Sequence, residues 1–264
     1  MQNNFIYSFF YLLNNYYMQY NIIENLKEIN FNKYVKIVSL GSNCFPKKLI
    51  DNFFGKSMTM LFDYIGISMC GILLLINNSS SSSSSSSIRV SDDFIKSSYE
   101  YIQTIKNGKY VVTNMKYYIR PIHDFDELDN LDKKSINDER MTIFKETYTR
   151  RLERFNEFLN KSKLKKKRIL FIRFYENQID RIMYPEIKDH YEHDEMYYLM
   201  RFRDLLTSEG YIFDILYFTK KSLMTNDNNT SNSTNDNSNN SIFIKYLPED
   251  IIFTWDNCIN YMDI

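Results

Sequence analysis

The period of the apolar positions changes several times along the chain, and each change marks an element. Lys36 to Leu40 is short, apolar and β-branched, and reads as a buried strand. Gly41-Ser42-Asn43 breaks it with a tight polar turn. From Cys44 the spacing becomes helical: Phe45, Leu49, Ile50, Phe53 and Phe54 share a face, and Pro46 suits a first turn. A second helix is expected over Ile65 to Ile76, and a third from the Ser91-Asp92-Asp93 cap to about Ile105. Tyr110 to Thr113 reads as a strand, and Tyr117 to Phe125 as extended chain. Ser135 to Ser162 reads as a long helix with a buried stripe of Phe144, Tyr148, Leu152, Phe155 and Leu159. A strand follows at Ile169 to Tyr175, then a helix over 193–208 closed by Gly210. Further strands are expected at Tyr211 to Phe218, Ile242 to Leu247 and Asp250 to Thr254.

This alternation predicts an α/β fold, layered, with a largely parallel sheet flanked by helices. Ser79 to Ser87 is a pure serine run, and 226–241 is almost wholly Asn, Ser, Thr and Asp. Neither can bury apolar surface, so both read as disordered low-complexity insertions. Residues 1–32 read as an N-terminal extension packed loosely or not at all, and 33–264 as a single α/β domain. In such folds the working loops lie beyond the carboxyl ends of the strands. Cys44, His123, Arg173 with Glu176, and Asp256 all fall at or just after strand ends.

Bulk composition narrows the function classes. Hydrophobic residues make up 44% of the 264, enough for a sizeable core. A formal net charge of +0 provides no global field toward nucleic acid or an anionic membrane. No run reaches the ~18 apolar residues of a membrane span. Three widely spaced cysteines argue against a disulfide framework, so a reducing, cytoplasmic location is the expectation.

The candidate chemistry begins at Cys44, at the start of a helix. Free amides and the positive end of the helix dipole stabilise an anion there, and they lower the pKa of a thiol. The same amides, with Gly41, Ser42 and Asn43, could hold a phosphate or carboxylate instead; the plainer alternative is a small residue filling a turn. His123 sits between apolar residues in a strand-end loop beside Asp124 and Asp126, where it is either a core group or a placed base. Asp63, in an apolar segment, is either the cap of the following helix or a site carboxylate. Arg173, in an apolar strand and close to Glu176, is either a structural ion pair or an anion clamp. Arg150, Arg151 and Arg154 read as solvated or paired, with phosphate binding the lesser alternative, and the basic run Lys161 to Arg168 as a cationic helix C-terminus, with a localisation or nucleic-acid patch the lesser alternative. His190 and His193 lack an evident third ligand, so neither a metal nor a cofactor is expected.

Ser39-Leu40-Gly41 with Cys44, then Phe62-Asp63-Tyr64, His123-Asp124-Phe125 and Ile172-Arg173 together resemble a family described as papain-like cysteine peptidases. Leu61 stands where that family usually has proline, and Tyr64 where it has tryptophan. The resemblance spans about residues 35 to 260, less the insertions, and implies a cysteine nucleophile with a histidine base.

Three functions follow as expectations. The first is a cysteine hydrolase or acyl transferase acting on a peptide, isopeptide, amide or ester. Cys44 would attack, His123 serve as base, Asp63 or Asp124 orient it, and the Cys44 backbone N–H with the Asn43 amide face the oxyanion. The second is an anion- or nucleotide-binding α/β enzyme, glycan-modifying or esterase-like, in which Gly41, Ser42 and Asn43 hold the ligand and Arg173 clamps it. The third is a non-catalytic binding protein on the same scaffold.

Overall fold

The computed structural model describes residues 29–41, 44–77, 88–103, 108–121, 123–130, 135–175, 194–223 and 240–247. Among the described residues, eight strands and five α-helices form a mixed α/β fold. The strands are β1 (Lys36–Ser39), β2 (Gly66–Ile67), β3 (Glu100–Gln103), β4 (Tyr110–Thr113), β5 (Ile119–Arg120), β6 (Ile169–Phe174), β7 (Phe213–Lys220) and β8 (Ser241–Leu247). The helices are α1 (Phe45–Phe54), α2 (Met69–Asn77), α3 (Asp93–Lys96), α4 (Asp138–Leu164) and α5 (Glu195–Ser208).

The main sheet has the order β1-β6-β7-β8 and is parallel throughout. All six residues of β6 are buried, as expected of a central strand covered on both faces. Its side chains alternate between two cores. Ile169 and Phe171 face a large core with Phe155 and Leu159 of α4, Leu199 and Phe202 of α5, and Ile72 of α2. Leu170, Ile172 and Phe174 face a smaller core with Leu49 and Ile50 of α1. The sheet is therefore sandwiched, with α1 on one side and α2, α4 and α5 on the other.

Several expectations need correction. The predicted helix from Ser91 to Ile105 shortens to α3, and the chain re-forms as β3. That strand pairs antiparallel with β4, so Tyr110–Thr113 stays outside the parallel sheet. β2 and β5 form a second antiparallel pair, so the sheets are parallel and antiparallel together rather than largely parallel. The helix expected from Ile65 starts at Met69, after β2. Among the described residues between Tyr117 and Phe125, only Ile119 and Arg120 are strand, and Tyr118 has a φ of 54°. The tract assigned to 226–241 also reaches too far. Asn240 is buried, accepting from the Phe213 amide (2.8 Å) and donating to the Tyr211 carbonyl (3.0 Å), and Ser241 opens β8.

At the other end of the assigned 1–32 extension, Asn30 caps a 3-10 turn at Phe31–Lys33, and the Phe31 ring lies 4.7 Å from that of Phe54. The serine run, most of the second polar tract, Ser42, Asn43, Glu176, the His190–His193 pair, the strand expected at 250–254 and Asp256 lie outside the described residues. Among the described residues no helix is long and apolar enough to cross a membrane.

Candidate functional site

The site is built where the loop leaving β1 meets the segment Met60 to Ile67. Gly41 makes that meeting possible. Its φ is +72°, and a β-carbon there would come within 2.7 Å of Ile67 Cγ2, 3.2 Å of the Ile65 carbonyl and 3.3 Å of the Phe62 carbonyl. Glycine is thus required both for its backbone angle and for close packing. Its amide donates to Ser39 Oγ at 3.0 Å, which closes the turn.

Cys44 occupies the N-cap of α1, and its carbonyl accepts the first intrahelical bond, from the Lys48 amide at 3.1 Å. The residue is 0% exposed. One turn on, Lys47 is buried too, its Nζ 2.5 Å from Asp51 Oδ1 and bonded to both the Ser57 carbonyl and hydroxyl. The other described cysteine, Cys70 on α2, is a half-buried free thiol whose pKa burial pushes up.

Asp63 caps no helix. It lies in the turn before β2, 2% exposed, and its Oδ2 accepts from the Met60 amide at 2.7 Å. Its Oδ1 is buried without a hydrogen-bond partner. Burial pushes this carboxyl up to about 6, although the Met60 bond, Lys47 and Arg151 pull the other way. Tyr64 follows with a φ of 60°, a left-handed conformation uncommon for a bulky residue. Phe62 anchors the turn, with its ring edge-on to Phe155 of α4 at 5.2 Å.

His123 is exposed, so the core reading of this residue is set aside. Its ring stands edge-on to Tyr64, centroids 5.8 Å apart. The Tyr64 phenol is raised chiefly by burial, with Asp51, Asp63 and Cys44 adding to the effect. Tyr64 therefore lies within electrostatic range of Cys44 and in ring contact with His123. Beside the histidine, Asp124 accepts from the Tyr148 hydroxyl at 3.1 Å. Burial raises the Asp124 carboxyl, against Arg151, the Tyr148 bond and His123.

Of the two readings of Arg173, the structural ion pair is the one formed. Fully enclosed, it faces Glu195 Oε1 with Nε at 2.8 Å and Nη2 at 2.6 Å. Its Nη1 donates to the carbonyls of Leu40 and Ile67, both at 2.8 Å. Arg173 thus ties the loop after β1 to the end of β2.

Sequence reasoning missed the contribution of α4. Arg154 donates to the Thr59 carbonyl, and Arg151 donates to the Asp63 carbonyl at 3.4 Å while lying over the Tyr148 ring at 4.7 Å. The available signal was their spacing: Tyr148, Arg151 and Arg154 recur every third residue, along the edge of the buried stripe.

A family profile titled "Putative papain-like cysteine peptidase (DUF1796)" matches residues 35–188, more than half of the chain. No curated protein and no solved structure matches it. Among the described residues no group of three or more His, Cys, Asp or Glu is placed to hold a metal ion.

Proposed function

The chain belongs to this papain-like cysteine peptidase family, and from that premise we propose that it is a cysteine-dependent acyl-transfer hydrolase with Cys44 as nucleophile. The supporting observation is the position of Cys44 at the N-cap of α1, together with Tyr64, whose phenol is under the electrostatic influence of Cys44 and whose ring stands edge-on to His123. The amides at a helix start favour the anionic form of a thiol placed there, although the Cys44 side chain makes no cap bond to them in this conformation.

In this reading the Cys44 sulfur attacks the carbonyl carbon of a peptide, isopeptide, amide or ester. Its proton passes to His123 and then to the departing amine or alcohol, leaving a thioester. Water, deprotonated by His123, hydrolyses the thioester and restores the thiol. Asp124, next in sequence and electrostatically linked to the imidazole, is the orienting acid. Asp63 shapes the turn carrying Tyr64. The Cys44 amide and Asn43 are assigned to the oxyanion, and Gly41, Ser42 and Glu176 to the walls of the substrate site. Because Cys44 is enclosed, substrate entry requires the chain around it to open locally. The alternative of an anion site clamped by Arg173 loses its cation, since that guanidinium is already engaged with Glu195 and two carbonyls.

The test combines turnover of fluorogenic peptide, isopeptide and ester substrates with alkylation of the thiols across pH. Cys44→Ala should abolish turnover, and Cys70→Ala should leave it unchanged. Iodoacetamide should label Cys44 at a lower pH than Cys70, and His123→Gln should move that labelling upward. Wild-type turnover by Cys44→Ala would sink the proposal.

A further inference from the structure

Two acid-bearing segments meet at one side chain of α4. Arg151 donates from Nη1 to the carbonyl of Asp63, the residue before Tyr64, at 3.4 Å. The guanidinium carbon also lies over the Tyr148 ring, 4.7 Å from its centroid, and the hydroxyl of that ring donates to Asp124, the residue after His123, at 3.1 Å. Tyr64 and His123, the outer members of the two segments, are themselves in ring contact at 5.8 Å. A closed circuit results: Arg151, Asp63, Tyr64, His123, Asp124, Tyr148 and back to Arg151.

We propose that Arg151 is a positioning residue, fixing the Tyr64 turn and the His123 loop relative to each other from one guanidinium. The role rests on the cysteine-hydrolase reading, in which those two segments carry the base and flank the nucleophile. Only arginine suits the place. A planar fork can donate at its edge while its face rests on an aromatic ring, whereas an ammonium cannot do both at once.

The charge serves the same end. Asp124 is surrounded by Arg151, Tyr148, His123 and Tyr99. Asp63 is surrounded by Lys47, Arg151, Asp51, Lys36 and Tyr64. Burial drives both carboxyls toward their neutral forms, and Arg151 opposes it at both. For Asp124 it is the foremost opposing influence. Arg151 therefore favours the anionic form of the acid beside His123, the form an orienting acid needs.

The experiment follows the side-chain carboxyl 13C signals of Asp63 and Asp124 against pH in wild type and Arg151→Gln. Removal of the cation should raise both midpoints, by about one pH unit at Asp124. The acid limb of the kcat/KM profile should move up with Asp124, and Arg151→Lys should restore the midpoints but not the full rate. A folded Arg151→Gln protein with lower Tm and unmoved carboxyls would mean that Arg151 only packs, and the proposal would be overturned. If the variant does not fold, the wild-type Arg151 Nε signal decides. Two titration steps matching the two carboxyls support the role, and a flat response overturns it. Turnover by Cys44→Ala would refute the hydrolase reading separately, because the carboxyl titrations do not depend on catalysis.

Discussion

Arg173 on β6 and Glu195 in the first turn of α5 form an ion pair enclosed entirely in protein, with Nε donating to Oε1 at 2.8 Å and Nη2 within 2.6 Å of the same oxygen. Nη1 donates to two carbonyls, and Glu195 Oε2 accepts from the Met69 amide at 3.4 Å. One arginine therefore joins the loop after β1, the end of β2, the start of α2 and α5. Burying such a pair is costly, and breaking it costs more, because the remaining charge is stranded.

Arg173→Met or Glu195→Gln should each destabilise the protein by about 3–5 kcal/mol, read from urea unfolding. The double variant should recover part of that loss. Arg173→Lys should behave more like Arg173→Met than like wild type, since an ammonium cannot reach the carboxylate and both carbonyls in this geometry. A double-mutant cycle with no coupling would show that the pair contributes nothing to folding.

Gly41→Ala should be damaging at a position with no charge at stake. The added carbon meets Ile67 at 2.7 Å, and the φ of +72° disfavours any side chain. A loss of about 1–3 kcal/mol is expected. Combined with Ile67→Ala, which removes the contacting Cγ2 methyl, it should lose less than the sum of the two single losses in thermal melts, but the backbone part should remain.

Asp63 should give stability a marked dependence on pH. Its carboxyl moves from the ordinary 3.8 to about 6 in the folded protein. The folded state thus favours the protonated form. That contribution is complete below about pH 4 and is lost as pH rises through 6, for about 3 kcal/mol in all. Asp63→Asn keeps the acceptor for the Met60 amide and should flatten this part of the curve. At pH 7 the variant should melt higher than wild type, and an equal or lower Tm there would refute the assignment.

Asp214, at the opposite end of the sheet, should matter for folding and not for the site. It is 1% exposed and collects Tyr34 Oη at 2.7 Å, Lys33 Nζ at 3.0 Å, Arg168 Nη1 at 3.1 Å and the Ser241 amide at 3.1 Å. Burial, with this hydrogen bond, raises the Tyr34 phenol. Asp214→Ala should cost about 3 kcal/mol and speed hydrogen exchange in β8 and around Tyr34. Alkylation of Cys44 in the still-folded variant should keep its wild-type pH dependence.

Long or strongly patterned elements were legible in the chain. The strand starting at Lys36, the stripe from Phe144 to Leu159, and β6 to β8 follow from period and composition, because each buries a face whose residues are close in sequence. Cys44 at a helix start was equally legible from Pro46 and the spacing beyond it. The short pieces between β1 and α4 were not. β2, β3 and β5 each have four residues or fewer, and they exist because a distant partner strand satisfies their backbone. Local propensity therefore points wrongly to helix at Ile65 and at Tyr101.

By itself, the sequence determined which residue types occur at strand ends and helix starts, since period, glycine and proline act on neighbours along the chain. Only the tertiary structure decided what those residues do for one another. It made Arg173 a structural tie instead of a clamp, left Asp63 half-satisfied in the interior, set Tyr64 against His123, and gave Arg151, read from sequence as solvated or paired, its partners. The physical reason is that desolvation and charge pairing depend on which groups meet across the fold, and separation along the chain does not encode that distance.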